Sequence, residues 1–352
     1  MASPTLSDVA QAAGVSYATA DRVVNKRGNV AEKSIRKVRD AMAALGYVRN
    51  VAAANLSRGR VYRLAFLIPL GPNAFFNRIR DHLKITAERL QTEQIRVEII
   101  EVAAFGVEDM QAGLTALLEQ DFDGVAIVGL KSTALEQPLA ALRQKGVAIV
   151  GLVSDLPIDY RSAYIGIDNR VAGRTAARLI GMAHGGGKGL VQTFAGALAA
   201  HDHAERLAGF QEVITADFPK IALLNPLMTK DAAAVVQSQA SAALAQHPDL
   251  TAVYNVGAGN SGLIAALTLA PRKPFCVVHE LVPHTRKAVE AGHIDIVIDQ
   301  RPDVEINRAF SVLRALIDEQ GVPRMPELVP TIYLRDNLPG APFPETMKDK
   351  TK

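Results

Sequence analysis

The chain of 352 residues is 49% hydrophobic and has a formal net charge of +3, from 39 basic and 36 acidic side chains. This length supplies two or three domains, each able to bury its own core. No apolar run approaches the roughly 20 residues that cross a bilayer, and the first 30 residues lack the basic-then-apolar pattern of a secretion signal. The sequence therefore predicts a cytoplasmic protein with no membrane partner.

The N-terminal residues predict two short helices joined by a tight turn. Thr5 can cap the first helix in a reciprocal arrangement with Asp8. Gly14 follows the last periodic residue, where the chain needs a left-handed conformation to turn. Ser16 can cap a second helix over residues 17–25. The pattern is a helix, a turn and a helix.

The second of these helices has a polar face suited to the major groove of DNA. Tyr17, Ala18, Asp21 and Arg22 fall on the side opposite the apolar residues by the 3.6-residue period. In a helix-turn-helix this face meets base edges, and an arginine there can bond guanine in bidentate fashion. The alternative is an ordinary helical hairpin in which Arg22 is a solvated surface charge.

The distribution of charge favours the nucleic-acid interpretation. Residues 1–60 contain ten basic and four acidic side chains, a net +6, and the remaining residues contain 29 and 32, a net −3. A basic segment attached to a mildly acidic body is typical of a DNA-binding module joined to another domain, because phosphate neutralisation provides most sequence-independent affinity.

Residues 5–60 resemble the DNA-binding headpiece of the LacI/GalR family of bacterial transcription repressors. The resemblance rests on these residues: Thr5-Leu6-x-Asp8-Val9-Ala10-x-x-Ala13-Gly14-Val15-Ser16, Thr19, Arg22-Val23-Val24-Asn25, Val30, Arg36-Lys37-Val38, Leu45-Gly46-Tyr47, Asn50, Ala53 and Leu56. It implies a headpiece over residues 1–49 with a third helix over 32–45. The contacts to DNA that it implies in the headpiece are made by Thr5, Leu6, Ser16, Tyr17, Ala18, Thr19, Asp21, Arg22 and Asn25.

The same resemblance implies a hinge at residues 50–61 that becomes helical on DNA. Asn50, Ala53 and Leu56 would contact the minor groove, with Leu56 inserted between base steps. Simple packing of Leu56 between domains is the alternative. Two positions depart from the family pattern: Asp21 replaces a small hydroxyl residue near a phosphate, and Ala31 replaces a capping serine or threonine.

From residue 62 onward, short apolar runs alternate with amphipathic helical segments, which indicates parallel strands linked by crossover helices. The predicted strands are 63–70, 96–102, 123–130, 147–153, 164–168, 188–196, 220–227, 251–257, 276–282, 293–300 and 331–338. The predicted helices are 76–92, 107–120, 133–145, 169–184, 203–216, 230–246, 260–269 and 302–319.

This alternation predicts an α/β domain of two lobes, with the late strands crossing between them. It resembles the type I periplasmic sugar-binding fold, which this repressor family uses as its effector domain. We expect that domain to cover residues 62–340, with a tail at 341–352. Cys276, the single cysteine, lies in an apolar run and is expected to be buried and inert.

Ligands of open parallel sheets lie beyond the carboxyl ends of the strands, so residues that follow each strand are the candidates for binding. The predicted ligand residues are Asn73, Phe75, Phe76, Asp168, Arg206, Asn255, Asn260, His279 and Gln300. Asn169, His201, His203 and Glu280 also follow strands. The resemblance implies that Arg206, Asp168 and Gln300 contact ligand hydroxyls, whereas His279 replaces the usual aspartate. Aromatic faces beside hydrogen-bonding groups suit a sugar or polyol. For each single residue, a loop cap or a salt bridge is the alternative.

Signals for catalysis, metals or cofactors are weak. The sequence His201-Asp202-His203 lacks clear third and fourth metal ligands. The glycine-rich stretch 185–189 lacks the P-loop spacing, because Gly189 follows the lysine where a hydroxyl is needed. We therefore expect no enzyme, no catalytic residues, no metal site and no cofactor.

The combined prediction is a homodimeric, nucleoid-associated repressor that binds palindromic double-stranded operator DNA and is released by a sugar, a polyol or a related small molecule. The tail lacks a leucine heptad, which favours a dimer over a tetramer. A corepressor-dependent regulator of the same fold is the first alternative. A sugar-binding protein of a transport system is the second, and it is disfavoured by the basic headpiece.

Overall fold

The computed structural model describes residues 4–25, 28–47, 60–71 and 73–340. These divide into two compact units, one within residues 1–60 and one from residue 61 onward. None of the helices in the described ranges is both long enough and apolar enough to span a membrane.

The N-terminal unit contains the three expected helices, α1 (Leu6–Ala13), α2 (Tyr17–Val24) and α3 (Glu32–Leu45). Thr5 and Asp8 form the predicted capping box, and Ser16 accepts a hydrogen bond from the backbone of Thr19. Gly14 has φ of 59°, a left-handed conformation that glycine adopts without a steric penalty. Ala31 provides no side-chain cap for α3, which agrees with its departure from the family pattern.

Small side chains allow these helices to pack closely. The buried core of the unit consists of Val9, Ala10, Ala13, Ala20, Val38 and Ala41. Four of these six are alanines, which allow close approach of the helices, and larger side chains such as Leu6, Met42 and Tyr47 pack around them. The polar residues of α2 consequently remain at the surface.

The first lobe of the larger unit is built on a five-stranded parallel sheet in the order β2-β1-β3-β4-β5. Its elements in chain order are β1 (Tyr62–Leu70), α4 (Ala74–Leu90), β2 (Ile95–Ala103), α5 (Val107–Leu118), β3 (Gly124–Ile127), α6 (Glu136–Gln144), β4 (Ala148–Leu152) and β5 (Ala163–Ile165). Apolar cores cover both faces of the sheet, as parallel sheets require.

The second lobe has a seven-stranded sheet in the order β12-β11-β10-β9-β6-β7, with β8 beside β6. The remaining elements are α7 (Asn169–Ala183), β6 (Gly189–Ala195), α8 (His201–Asp217), β7 (Ile221–Leu223), β8 (Leu227–Met228), α9 (Ala233–Gln246), β9 (Ala252–Asn255), α10 (Asn260–Leu269), β10 (Phe275–His279), α11 (Pro283–Glu290), β11 (Ile296–Asp299), α12 (Pro302–Ile317) and β12 (Thr331–Tyr333). Only β12 runs antiparallel to its neighbour. Cys276 is buried and free, as expected.

The fold class is confirmed, and some details differ from the sequence prediction. Helix α11 is absent from the sequence prediction, because it is a short, mainly polar segment whose eight residues bury only Thr285, Ala288 and Val289. The late strands do not cross between the lobes as predicted. Strands β11 and β12 both belong to the second sheet, whereas α12, which lies between them in the chain, packs in the first lobe. There the Phe310 ring lies 4.9 Å from the Phe66 ring, centroid to centroid, so α12 covers apolar sheet surface.

Helices α7 and α8 cross with their backbones in close contact. A Cβ atom on Gly173 would overlap the carbonyl oxygen of Arg206, and one on Gly209 would overlap the carbonyl oxygen of Arg170. Each helix therefore presents a glycine to the backbone of the other. This reciprocal contact fixes the position of Arg206 relative to the start of α7.

We expect Gly173→Ala to destabilise the larger unit by about 1–3 kcal/mol through overpacking. Alanine is otherwise the better helix former by about 1 kcal/mol, so a net loss of stability reports the backbone overlap. Calorimetric melting of the full chain measures the effect. Met182→Ala, at an exposed position of the same helix, is the control. Equal melting temperatures for Gly173→Ala and the parent protein would contradict this packing.

Candidate functional site

The first candidate site is the exposed face of α2 in the N-terminal unit. Ser16, Tyr17, Ala18 and Arg22 are exposed, and the Tyr17 side chain has 57% of its surface open to solvent. The helix begins at Tyr17, so this residue lies at the end that a helix-turn-helix directs toward bases. Tyr17, Ala18 and Arg22 of the predicted DNA-contacting face are therefore exposed within this unit, and the fourth residue, Asp21, is partly buried.

The remaining residues of the predicted DNA surface lie around this face. Thr5 is exposed, and Leu6, Thr19, Asp21 and Asn25 are partly buried. The Asn25 amide donates to a carboxylate oxygen of Asp21 at 2.6 Å. This hydrogen bond from Asn25 orients Asp21, the acidic residue that departs from the family pattern. Asn50, Ala53 and Leu56, with most of the predicted hinge, lie outside the described residues.

The second candidate site is a cavity of about 450 Å³ between the two lobes of the larger unit. It lies at the carboxyl ends of the strands, the expected position in open parallel sheets. The structure brings seven of the nine predicted ligand residues to its wall: Asn73, Phe75, Phe76, Arg206, Asn260, His279 and Gln300.

Asp168 and Asn255 are placed elsewhere. Asp168 is exposed and caps α7, since its carboxylate accepts a hydrogen bond from the backbone of Val171 at 2.9 Å. Asn255 is fully buried and donates to the backbone of Ala258 and to Asn260. Both side chains organise loops, which is the alternative that the sequence left open for residues of this kind.

Arg206 is the centre of the polar wall. It is only 2% exposed, and its guanidinium donates to Asn169 at 2.8 Å, to the carbonyl of Val256 at 2.7 Å and to Gln300 at 3.4 Å. Gln300 in turn donates to Glu280 at 2.7 Å. Guanidinium has five N–H donors, so this network leaves two for a ligand.

Asn73 lies where the lobes meet at the cavity. Its side-chain oxygen caps α4 by accepting from the backbone of Phe75, and its amide nitrogen lies 3.5 Å from Asp231 of the second lobe. The adjacent rings of Phe75 and Phe76 pack edge to face with centroids 5.2 Å apart. One short segment therefore provides both an aromatic wall and a contact between lobes.

Several cavity residues were not among the predicted ligand residues. Asp202, His203, Asp231 and Glu280 line the wall, together with Phe105. Asp231 was missed because the helix was predicted from residue 230, whereas α9 begins at Ala233. Asp202 is considered only as part of a possible metal site, and its position just after β6 is the signal that could have placed it here; His203 and Glu280 are noted as residues that follow strands.

Burial and nearby charges shift the pKa values of the acidic groups and of His279 at the cavity in different directions. Burial raises the pKa of the Asp231 carboxyl, and it raises that of Glu280 well above the ordinary range. Burial also raises the pKa of Asp202, but the nearby charges of His203 and Arg206 outweigh this effect and leave it below the usual value. The pKa of His279 is well below its ordinary value because of burial and the charge of Arg206, so its ring is neutral.

Strained backbone is concentrated at the cavity. Five non-glycine residues that line it have positive φ: Phe105 (62°), Val153 (63°), Lys230 (52°), Asp231 (57°) and Glu280 (74°). Each such conformation costs on the order of 1–3 kcal/mol and persists only where the surrounding structure enforces it. Strain of this kind clusters at ligand sites, which supports a functional role for the cavity.

The two units match two known families. Residues 64–321 match the periplasmic binding protein domain family, and residues 5–50 match the family described as bacterial regulatory proteins, lacI family. The first match covers most of the chain, and the second covers the three N-terminal helices.

Two curated relatives and one solved structure illustrate the similarity. The HTH-type transcriptional regulator DegA of Bacillus subtilis is 25% identical over 51% of this chain and 52% of its own length. The lactose operon repressor of Escherichia coli is 33% identical over 35% of this chain and 33% of its own length. The chain thus spans about half or less of these relatives. A solute-binding protein of Burkholderia graminis, solved with D-arabinose, has 26% identity and a TM-score of 0.71, covering 78% of this chain and 96% of that protein.

The buried carboxyl group of Glu305 makes the stability of the fold depend on pH. It is fully buried, neither of its carboxylate oxygens has a hydrogen-bond partner among the described residues, and burial raises its pKa well above 4.5. The folded state therefore holds this proton more tightly than the unfolded chain. The resulting stabilisation is complete below the unfolded pKa and is lost as the pH rises through the folded pKa.

We expect Glu305→Gln to reduce the fall in melting temperature between about pH 5 and about pH 8, because glutamine cannot ionise. Thermal melting across this range measures the slope. Glu327→Gln, at an exposed position, is the control and should retain the parent slope. An unchanged slope in Glu305→Gln would show that Glu305 does not contribute.

Proposed function

The chain belongs to the periplasmic binding protein domain family and carries a lacI-family regulatory domain, and from this premise we propose that it is a sugar-responsive, DNA-binding transcriptional repressor. The observation that carries the proposal is the joining, in one chain, of a helix with exposed Tyr17 and Arg22 to a two-lobed body with a cavity that has both polar and apolar walls. The first is suited to DNA and the second to a small molecule.

The DNA side of the proposal rests on the geometry of α2. Ser16 starts the helix with a capped turn, and Tyr17, Ala18 and Arg22 are exposed along one face. Arginine can read guanine in the major groove, while the basic charge of residues 1–60 attracts the phosphate backbone. A chromosome-bound regulator works in the cytoplasm at the nucleoid.

The effector side rests on the cavity between the lobes. Arg206, Gln300 and Asn260 provide hydrogen-bonding groups, and Phe75 and Phe76 provide apolar surface. The Burkholderia graminis protein binds D-arabinose with a similar fold, and the similar Escherichia coli protein represses a lactose operon. A sugar or polyol is the effector class that we propose for this chain.

We further propose a homodimer in which each headpiece reads half of a palindromic operator. Two half-sites on DNA with two-fold symmetry are matched by a protein with two-fold symmetry. Effector binding between the lobes would alter their relative orientation and change the affinity for DNA by an amount equal to the difference in effector affinity between the two states.

Arg22→Ala should weaken binding to the selected operator by about 1–3 kcal/mol, or roughly 5- to 150-fold, if its guanidinium reads a base. Fluorescence anisotropy measures this on genomic fragments selected by the parent protein. A random duplex of equal length tests specificity, and Arg272→Ala removes an exposed charge of the larger unit as a control. Equal affinity of the parent for selected and random DNA at every salt concentration would refute the DNA-binding function.

Arg206→Leu should abolish the thermal stabilisation that the parent protein shows with an effector sugar, because the polar wall loses its central donor. A thermal-shift screen over sugars, polyols and sugar acids identifies that effector, and Arg324→Leu is the exposed control. Anisotropy with and without effector then gives the sign of regulation. Lower affinity for DNA indicates release from the operator, and higher affinity indicates corepression. A parent protein that is stabilised by none of these compounds would contradict the proposed effector class.

A further inference from the structure

The two lobes contribute chemically different walls to the cavity. Of the 17 described first-lobe residues that line it, only Asn73 and Ser154 carry hydrogen-bonding side chains. The principal apolar side chains on that wall are Leu70, Phe75, Phe76, Phe105, Met110 and Leu130. The second lobe supplies 18 lining residues, 11 of which have polar or charged side chains.

The two polar side chains of the first lobe, Asn73 and Ser154, differ in their hydrogen bonding. The Asn73 oxygen is used by the backbone of Phe75, and its nitrogen lies 3.5 Å from Asp231. The Ser154 hydroxyl, near enough to Asp202 to lower the pKa of that carboxyl, is buried and has no hydrogen-bond partner among the described residues. Apart from this hydroxyl, the first-lobe side chains offer a ligand mainly apolar surface, and a ligand hydroxyl buried against that surface would lose its hydrogen bonds to water.

The second lobe has the opposite character. Glu280 has one buried carboxyl oxygen, and His279 one buried ring nitrogen, without a hydrogen-bond partner in the described parts of the chain. Arg206 has two N–H groups beyond its three hydrogen bonds. Buried polar groups need hydrogen-bond partners, and the second lobe contributes 11 polar lining side chains where the first contributes two. The hydroxyls of the ligand thus belong at the second lobe.

We propose that the effector is a sugar with an apolar substituent, whose hydroxyls bind the second lobe and whose alkyl, aryl or deoxygenated side packs against the first. This inference rests on the proposed function and narrows its effector class. A sugar with hydroxyls on all sides would bury several of them against the wall formed by Leu70, Phe75, Phe76, Phe105, Met110 and Leu130.

Matched ligand pairs test the proposal on the full chain. The probes are methyl and phenyl glycosides of glucose, galactose and mannose, together with D-galactose against D-fucose and D-glucose against 6-deoxy-D-glucose. Isothermal titration should show at least tenfold tighter binding of the phenyl or deoxy member in each pair that binds. Tighter binding of the more hydroxylated member, equal binding of both members, or binding of no probe would overturn the proposal.

A variant pair tests the wall itself. Leu70 lines the cavity and is 55% exposed, so Leu70→Asn adds polarity with little effect on folding. It should reduce the preference for the apolar member at least threefold. Leu198→Asn, at a position that is 57% exposed and does not line the cavity, should keep the parent preference. If Leu70→Asn keeps the parent preference for the apolar ligand, Leu70 does not contribute to that preference.

Operator binding, measured separately on the same preparation, distinguishes the two possible failures. A preference for the apolar member without specific DNA binding would leave the ligand inference intact and overturn the repressor function. Specific DNA binding with tighter binding of the more hydroxylated ligand would support the repressor function and overturn the ligand inference.

Discussion

The buried guanidinium of Arg206 is the interaction on which the rest of the cavity depends. A charge moved out of water is costly unless its hydrogen-bonding capacity is met. Here the acceptors are Asn169 at the start of α7, Val256 after β9 and Gln300 after β11. Three elements separated in sequence are therefore tied to one side chain. The charge of Arg206 also helps to keep Asp202 ionised and His279 neutral, so it sets the charge states around the ligand space.

Such a network requires a backbone positioned within a few tenths of an ångström, and the packing of α7 on α8 provides it. Gly173 and Gly209 bring the two helices into direct backbone contact beside Arg206 itself. The strained residues Asp231 and Glu280 then aim carboxyl groups into the same space. Rigid helix packing and local strain are two parts of one arrangement, because strained conformations persist only where neighbouring structure enforces them.

Local signals explain why so much could be predicted from the sequence. Thr5, Gly14 and Ser16 determine the helix ends through contacts with near neighbours, and all three act as predicted. Strand ends likewise pointed to Arg206 and Gln300, since parallel strands bring their carboxyl ends together. Asp168 looked equivalent to its neighbour Asn169, and only tertiary packing decides that the asparagine reaches Arg206 while the aspartate caps α7. The position of Asp231 at the cavity depends on its left-handed backbone conformation, which the sequence pattern does not predict.

The same geometry indicates how a ligand can act on the relation between the lobes. Arg78 of the first lobe pairs with Asp299 of the second at 2.9 Å and also donates to the carbonyl of Leu281. Asp299 immediately precedes Gln300, and Leu281 immediately follows Glu280, so each partner of Arg78 adjoins a residue of the polar wall. A ligand that engages Gln300 and Glu280 therefore acts on the two short segments that hold Arg78. Because the Asp299 carboxylate is only 1% exposed, separating it from Arg78 would leave a buried charge without its ion-pair partner.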